Sequence, residues 1–210
     1  MLRIYYYNTK IYFVTICNKL IFIDDMIPKL KDLLNEAKVH RLQIFTPGTG
    51  GNISKDSMKF NPSKIPTGKL RIGNQMACQN KPVGGFWTSG YREKIKSSDW
   101  EEWKKMKMPH WRSGMGAVFE VVGNPKLAVV NNNKDYEKLL KKYDASHYEE
   151  MGCGGGKYYL NWHALSKKYD GFRLTFKGSR DFIPGVHEWD VESTVWFNMS
   201  KLKFLGTTKL

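Results

Sequence analysis

The sequence has few of the residues that build metal sites and disulfide frameworks. Its three cysteines, Cys17, Cys78 and Cys153, stand far apart and form no CxxC pair. The five histidines are scattered as well, without an HxxxH or HExxH spacing. Because zinc sites and disulfide-rich scaffolds need such clusters, we expect no protein-bound metal and reduced thiols in an intracellular setting.

Long apolar runs are missing too. A helix that crosses a bilayer needs roughly 20 apolar residues, and no stretch approaches that length. The opening MLRIYYYNTKIYFVTICNKLIFIDD begins basic and turns apolar, as secretory signals do. However, Asn18 and Lys19 interrupt the run, and no small-x-small cleavage site follows. We therefore expect a protein without a membrane span that works in the cytoplasm, with secretion as an effector as the alternative.

Acidic residues are outnumbered. The chain has 34 Lys and Arg against 20 Asp and Glu, a formal net charge of +14. Such an excess favours association with a polyanion such as nucleic acid, or with an anionic ligand. The alternative is that the charge only keeps the protein soluble. A hydrophobic content of 41% over 210 residues is enough to build a folded core.

The order of patterned segments predicts an α+β protein. Residues 1–39 form an N-terminal strand and helix extension, and residues 40–210 form one domain without an internal repeat. The predicted strands are RLQIFT, FWTS, AVFEVV, KLAVV, GFRLTF and HEWDVESTVWF, with the turn GNP joining AVFEVV to KLAVV. The predicted helices are MIPKLKDLLNEAKVH, DWEEWKKM after the cap Ser98, KDYEKLLKKYD after the cap Asn133, and YLNWHALSKKYD.

The last predicted strand, HEWDVESTVWF, carries three acids two residues apart, Glu188, Asp190 and Glu192. Successive side chains of a strand point to opposite faces, so the three carboxylates would share one face. That face is either solvated, as in any half-exposed strand, or lines a site.

Two short motifs bear on this choice: FWTS at residues 86–89 and DVE at residues 190–192. In this order they resemble the ADP-ribosyltransferase toxin-like families. Those families carry a Ser-Thr-Ser-like motif on a central strand and a Glu-x-Glu or Gln-x-Glu pair near the end of the domain. The resemblance covers about residues 40–198. It implies an ADP-ribosyltransferase-like split β-sheet core with short flanking helices, and NAD as a substrate.

The resemblance also implies roles for individual residues. Glu192 is the expected catalytic acid, which holds the 2′-hydroxyl of the NAD ribose and offsets an oxocarbenium-like transition state. Asp190 is expected to position the acceptor. Thr88 and Ser89 are expected to shape the pocket for the nicotinamide ribose, and Trp87 or Tyr91 to stack on an aromatic ring.

The opening strand departs from the pattern of those families. They carry an Arg or His there that contacts NAD, whereas RLQIFT offers only Arg41 at its edge and Thr46 as a polar substitute. We name both as candidate NAD-binding residues.

The sequence thus predicts an enzyme that transfers ADP-ribose from NAD to a macromolecular acceptor, either nucleic acid or protein. Two alternatives stay open. One is a basic nucleic-acid-binding protein without catalysis, and the other is an NAD glycohydrolase with water as the acceptor.

Overall fold

Two units make up the chain, Met1–Lys38 and Val39–Leu210. The computed structural model describes residues 3–7, 10–14, 41–45, 63, 65–74, 80–109, 115–145, 158–181, 183–186 and 189–209. In the first unit, β1 (Arg3–Tyr7) and β2 (Lys10–Val14) form an antiparallel pair. The predicted helix MIPKLKDLLNEAKVH lies outside the described residues.

A seven-stranded mixed sheet forms the second unit, in the order β6-β7-β8-β4-β3-β5-β9. Only β6 and β7 run parallel, and all other neighbours are antiparallel. With the helices described below, this sheet confirms the α+β prediction. The strands are β3 (Leu42–Phe45), β4 (Phe86–Gly90), β5 (Met115–Val121), β6 (Leu127–Val130), β7 (Gly171–Leu174), β8 (Ser193–Trp196) and β9 (Leu202–Lys209).

The helices of the second unit begin at polar caps. Ser98 accepts a hydrogen bond from the backbone N of Glu101 at 3.2 Å, which confirms the predicted cap. The next helix is capped by Asn132, one residue earlier than predicted, because its Oδ1 accepts from the N of Asp135 at 3.1 Å. Within the described residues, no helix has the length and apolar character to cross a membrane. The helices are α1 (Asp99–Lys107), α2 (Asn133–Lys142), α3 (Trp162–Ser166) and α4 (Phe176–Arg180).

The two strands predicted on either side of the turn GNP, AVFEVV and KLAVV, both form but do not pair with each other. β5 pairs with β3 and β9, whereas β6 pairs in parallel with β7. The physical reason lies at Asp170, whose Oδ2 accepts from the N of Lys126 at 2.9 Å and whose N donates to the O of Lys126 at 2.7 Å. These bonds align β6 with β7 instead of β5.

Two further strands differ from what the sequence analysis predicts. GFRLTF ends as a strand at Leu174, because the hydroxyl of Thr175 accepts from the N of Gly178 and caps α4. The edge strand β9 was not predicted at all. Its residues alternate between half-buried and exposed and include few large apolar side chains, so its hydrophobic pattern is weak.

The sheet buries both of its faces. On one face, which we call the helix face, Phe172, Leu174 and Val195 pack with side chains of α2 and α3 such as Tyr136 and Trp162. The other, which we call the opposite face, holds a second cluster of Phe86, Ala117, Phe119, Trp196 and Met199. The two sets alternate along β4 and β8, where Phe86 and Trp196 belong to one cluster and Trp87 and Val195 to the other.

Asn80 ties the helix layer together through its side-chain amide. Its Oδ1 accepts from the N of Leu160 at 3.1 Å and from the Nε1 of Trp162 at 3.2 Å. Its Nδ2 donates to the hydroxyl of Tyr136 and, at 2.5 Å, to the O of Gly185. The residue is only 4% exposed, so these groups have no ready replacement partner in water.

We therefore expect Asn80→Ala to lower the free energy of unfolding by about 3–5 kcal/mol, since several buried polar groups lose their partner at about 1–3 kcal/mol each. Urea denaturation of both proteins measures the difference. Asn124→Ala, at an exposed position, is the control and should change it by less than about 0.5 kcal/mol. Equal effects of the two substitutions would contradict the role assigned to Asn80.

Candidate functional site

A cleft of about 330 Å³ opens at the central strands, and most of the strand residues that line it lie on the helix face. Strand alternation places Trp87, Ser89 and Ser193 on this face, together with Val195. The cleft is lined by Ile44, Phe45, Lys81, Trp87, Thr88, Ser89, Trp100, Trp189, Asp190 and Ser193. Four of the predicted site residues, Trp87, Thr88, Ser89 and Asp190, therefore lie in one cleft.

The hydroxyl groups of FWTS hold the strands beneath the cleft. Thr88 donates to the Oε1 of Gln43 at 2.7 Å and accepts from the Nε1 of Trp196 at 2.8 Å, so its hydroxyl links β3, β4 and β8. Ser89 donates to the backbone O of Glu192 at 3.1 Å. Both hydroxyls thus fix the sheet, and the Ser89 bond ties the first motif to the start of β8.

Aromatic rings form one wall of the cleft. The rings of Trp87 and Trp189 lie 4.6 Å apart, and Trp162 stacks behind Trp189 at 6.0 Å. The Nε1 of Trp189 donates to the backbone O of Asn80 at 3.3 Å, which fixes the indole from its polar end. Such a rigid apolar wall suits a planar aromatic ligand.

Two charged side chains complete the lining, Lys81 and Asp190. Lys81 follows Asn80 directly, so the hydrogen bonds of Asn80 hold its backbone in place. Asp190 is exposed and follows the buried Trp189. The cleft therefore offers one cation for an anionic ligand group and one carboxylate that can accept a proton.

Glu192 lies elsewhere. It is 3% exposed, and its Oε1 accepts from the Nη2 of Arg173 at 3.0 Å. Arg173 alternates with Phe172 and Leu174 on β7, so this ion pair lies on the opposite face. The carboxylate of Glu192 is not part of the cleft lining. Glu192 contacts Ser89 through its backbone O, which accepts the hydrogen bond of the Ser89 hydroxyl.

Asp190 and Glu192 do not share a strand face. β8 begins only at Ser193, so Asp190 and Glu192 precede it in irregular chain, with one side chain exposed and the other buried. Glu188 lies outside the described residues. The extended strand predicted for residues 187–197 is therefore shorter than expected, because strand pairing with β4 and β7 covers only Ser193–Trp196.

Arg41 and Tyr91, two further predicted NAD-binding residues, are not part of the cleft lining. The side chain of Arg41 is 82% exposed and forms an ion pair with Glu120 at 2.5 Å, and this hydrogen bond lowers the pKa of Glu120. Tyr91 is half-buried, and its backbone N donates to the O of Leu42. Thr46 lies outside the described residues.

Several residues of the cleft were missed by sequence reasoning. Trp100 lies on the predicted helix DWEEWKKM and was not named as a site residue; its ring lines the cleft and stacks on Trp103 with centroids 4.9 Å apart. No motif or spacing in the sequence marks Lys81 as a site residue, since it is one of many lysines in a loop-like segment. Among the described residues, no three His, Cys, Asp or Glu side chains are grouped to hold a metal ion.

The buried ion pair yields a stability prediction. Arg173→Met removes the partner of a buried carboxylate and should lower the free energy of unfolding by about 3–5 kcal/mol. Adding Glu192→Gln removes the stranded charge, so the double variant should be more stable than Arg173→Met alone. Urea denaturation of the two single variants and the double variant tests the coupling, and strictly additive effects would count against the pair.

Comparison with known proteins identifies no relative: no protein-family model, no curated protein and no solved structure matches the chain.

Proposed function

We propose that the cleft binds NAD and that the protein transfers ADP-ribose to a macromolecular acceptor. The observation that carries this proposal is the meeting of two distant motifs, since Trp87, Thr88 and Ser89 line the same cleft as Asp190. Antiparallel pairing of β4 with β8 brings them together. The finer fold assignment, an ADP-ribosyltransferase-like split β-sheet core, belongs to the same proposal.

The lining suits the nicotinamide half of NAD. A volume of about 330 Å³ is small for a whole dinucleotide but adequate for a ring and its ribose. In this proposal the nicotinamide ring packs on Trp87 and Trp189, and Lys81 attracts the pyrophosphate. Lys81 thereby supplies the cation that the opening strand lacks, because Arg41 is engaged with Glu120.

The proposed reaction breaks the bond between the ribose C1′ and the nicotinamide nitrogen. Nicotinamide leaves with the electron pair of that bond, and a hydroxyl or amine of the acceptor forms the new bond to C1′. The acceptor gives up one proton, and Asp190 is the carboxylate of the cleft that can take it.

This assignment makes Asp190 the catalytic carboxylate, whereas the sequence resemblance names Glu192 as the catalytic acid and gives Asp190 the positioning of the acceptor. The reason is geometric: Asp190 is exposed on the cleft, whereas the carboxylate of Glu192 is buried against Arg173 on the opposite face. Glu192 then contributes by accepting the Ser89 hydrogen bond at its backbone, which holds the start of β8 beside FWTS.

Two matched substitutions separate these roles. Asp190→Asn should reduce transfer of labelled ADP-ribose from NAD to nucleic acid or protein by about 100-fold or more, the typical contribution of a catalytic base. Glu192→Gln also turns a carboxylate into an amide, but it keeps an oxygen for Arg173 and should retain most of the transfer.

The opposite pattern, with transfer lost in Glu192→Gln alone, would overturn the assignment and support the role that the sequence resemblance implies. Release of free ADP-ribose without transfer would identify water as the acceptor and the protein as an NAD glycohydrolase. If the unsubstituted protein does not turn over NAD, the proposed enzyme activity is wrong.

Binding can be measured apart from turnover. NAD should quench the tryptophan fluorescence of the protein, because three indoles line the cleft. Lys81→Gln should weaken NAD binding by about tenfold, the loss of one charge-assisted contact worth about 1.4 kcal/mol. Lys105→Gln, at an exposed position on α1, is the control and should leave the affinity unchanged. Quenching that is equally strong in all three proteins would rule out Lys81 as a ligand.

A further inference from the structure

Two tyrosines near the ends of helices pack against each other in the second unit, the buried Tyr143 and the half-buried Tyr169. Tyr143 follows α2, Tyr169 lies three residues beyond α3, and their rings pack edge to face with centroids 6.1 Å apart. The Nζ of Lys142 lies 5.5 Å from the centroid of the Tyr143 ring, and the Nζ of Lys126 lies 5.4 Å from that of Tyr169. Lysines from two separate segments of the chain therefore lie beside one pair of tyrosine rings.

Three more exposed lysines flank the same pair. Lys141 precedes Lys142, and Lys167 and Lys168 immediately precede Tyr169. We call this group the lysine-tyrosine surface; it consists of Lys126, Lys141, Lys142, Lys167, Lys168, Tyr143 and Tyr169. All five lysines are exposed, so their ammonium groups are open to solvent and to a partner.

Acidic residues do little to neutralise this surface. In the described chain around it, the nearest acids in sequence are Asp144 and Asp170. The carboxylate of Asp170 is engaged in the fold, accepting from the N of Lys126 at 2.9 Å and from the Nδ2 of Asn198 at 2.8 Å. Positive charge thus exceeds negative charge on these segments.

We propose that the lysine-tyrosine surface binds the phosphate backbone of nucleic acid. Lysine ammonium groups hold phosphates as point charges and carry no sequence information, so binding is independent of base sequence. A net charge of +14 adds long-range attraction for such a polyanion. None of the seven residues lines the cleft, so the surface acts whether or not NAD binds there.

The expected binding is strongly salt-dependent, because each neutralised phosphate releases a counterion. For single strands the logarithm of the binding constant should fall by roughly 0.7 per phosphate for each tenfold rise in salt. Three lysines lost from the surface should therefore reduce this slope by about 2.

The test uses the full chain and a fluorescein-labelled single-stranded oligonucleotide of about 20 nucleotides, as DNA and as RNA, with the DNA duplex as a further arm. Fluorescence anisotropy gives the Kd across a range of NaCl concentrations. The surface variant combines Lys141→Gln, Lys142→Gln and Lys168→Gln. The matched control combines Lys94→Gln, Lys105→Gln and Lys107→Gln, which removes the same charge from other exposed positions.

We expect the surface variant to bind about tenfold or more weakly at low salt with a shallower salt slope, and the control to lose less than about threefold. Circular dichroism and thermal unfolding confirm that both variants are folded. Equal losses in the two variants would show that diffuse charge is responsible, and no binding by the unsubstituted protein would also overturn the proposal. Binding to anionic lipid vesicles, with none to nucleic acid, would overturn it in favour of a membrane surface. None of these readouts involves NAD, so they are distinguishable from failure of the proposed enzyme activity.

Discussion

The hydrogen bonds of one buried asparagine organise the layer that covers the sheet. Asn80 uses both atoms of its side-chain amide and its backbone carbonyl, and its partners come from segments as distant in sequence as Tyr136, Leu160, Gly185 and Trp189. A short buried amide can satisfy donors and acceptors at once, which no apolar side chain in its place could do. Because Trp189 and Lys81 both form part of the cleft, the same bonds that stabilise the fold also fix the cleft wall.

Strand register decides which groups meet in the cleft. Thr88 of β4 and Arg173 of β7 both pair with Thr194 of β8. These three polar side chains therefore form a row on the opposite face of three adjacent strands. A slip of one residue would turn that row toward the helix face and bury aromatic side chains on the wrong side. The bonds of Thr88 to Gln43 and Trp196 exist only in the observed register, so the polar row specifies it. Asp190 and Glu192 precede β8 in irregular chain, so their spacing of two residues does not place them on one face, and only Glu192 is buried.

Local signals in the sequence predicted much of this structure. FWTS was found as a strand and Ser98 as a helix cap, since both depend on residues close together in the chain. The partners of the strands could not be predicted: the pairing of β6 with β7 depends on Asp170, about forty residues from Lys126, and β9 has too weak an apolar pattern to detect. For the site, the two motifs located Trp87, Thr88, Ser89 and Asp190. Burial of Glu192 could not be foreseen, because its partner Arg173 lies 19 residues away on a separate strand, and strand pairing brings them together.

The excess of positive charge is not a property of the cleft. Among the charged residues described there, the cleft has one cation and one acid, Lys81 and Asp190, so it presents a nearly balanced and mostly aromatic surface. Such a surface selects a ligand by ring packing and by the position of a single anionic group, and it gains little from a distant net charge once that charge is screened by salt. The exposed lysines around Tyr143 and Tyr169 face solvent, where a polyanion can contact several of them together. A net charge of +14 therefore favours the binding of a large polyanion at the exposed surface more than it favours any ligand of the cleft.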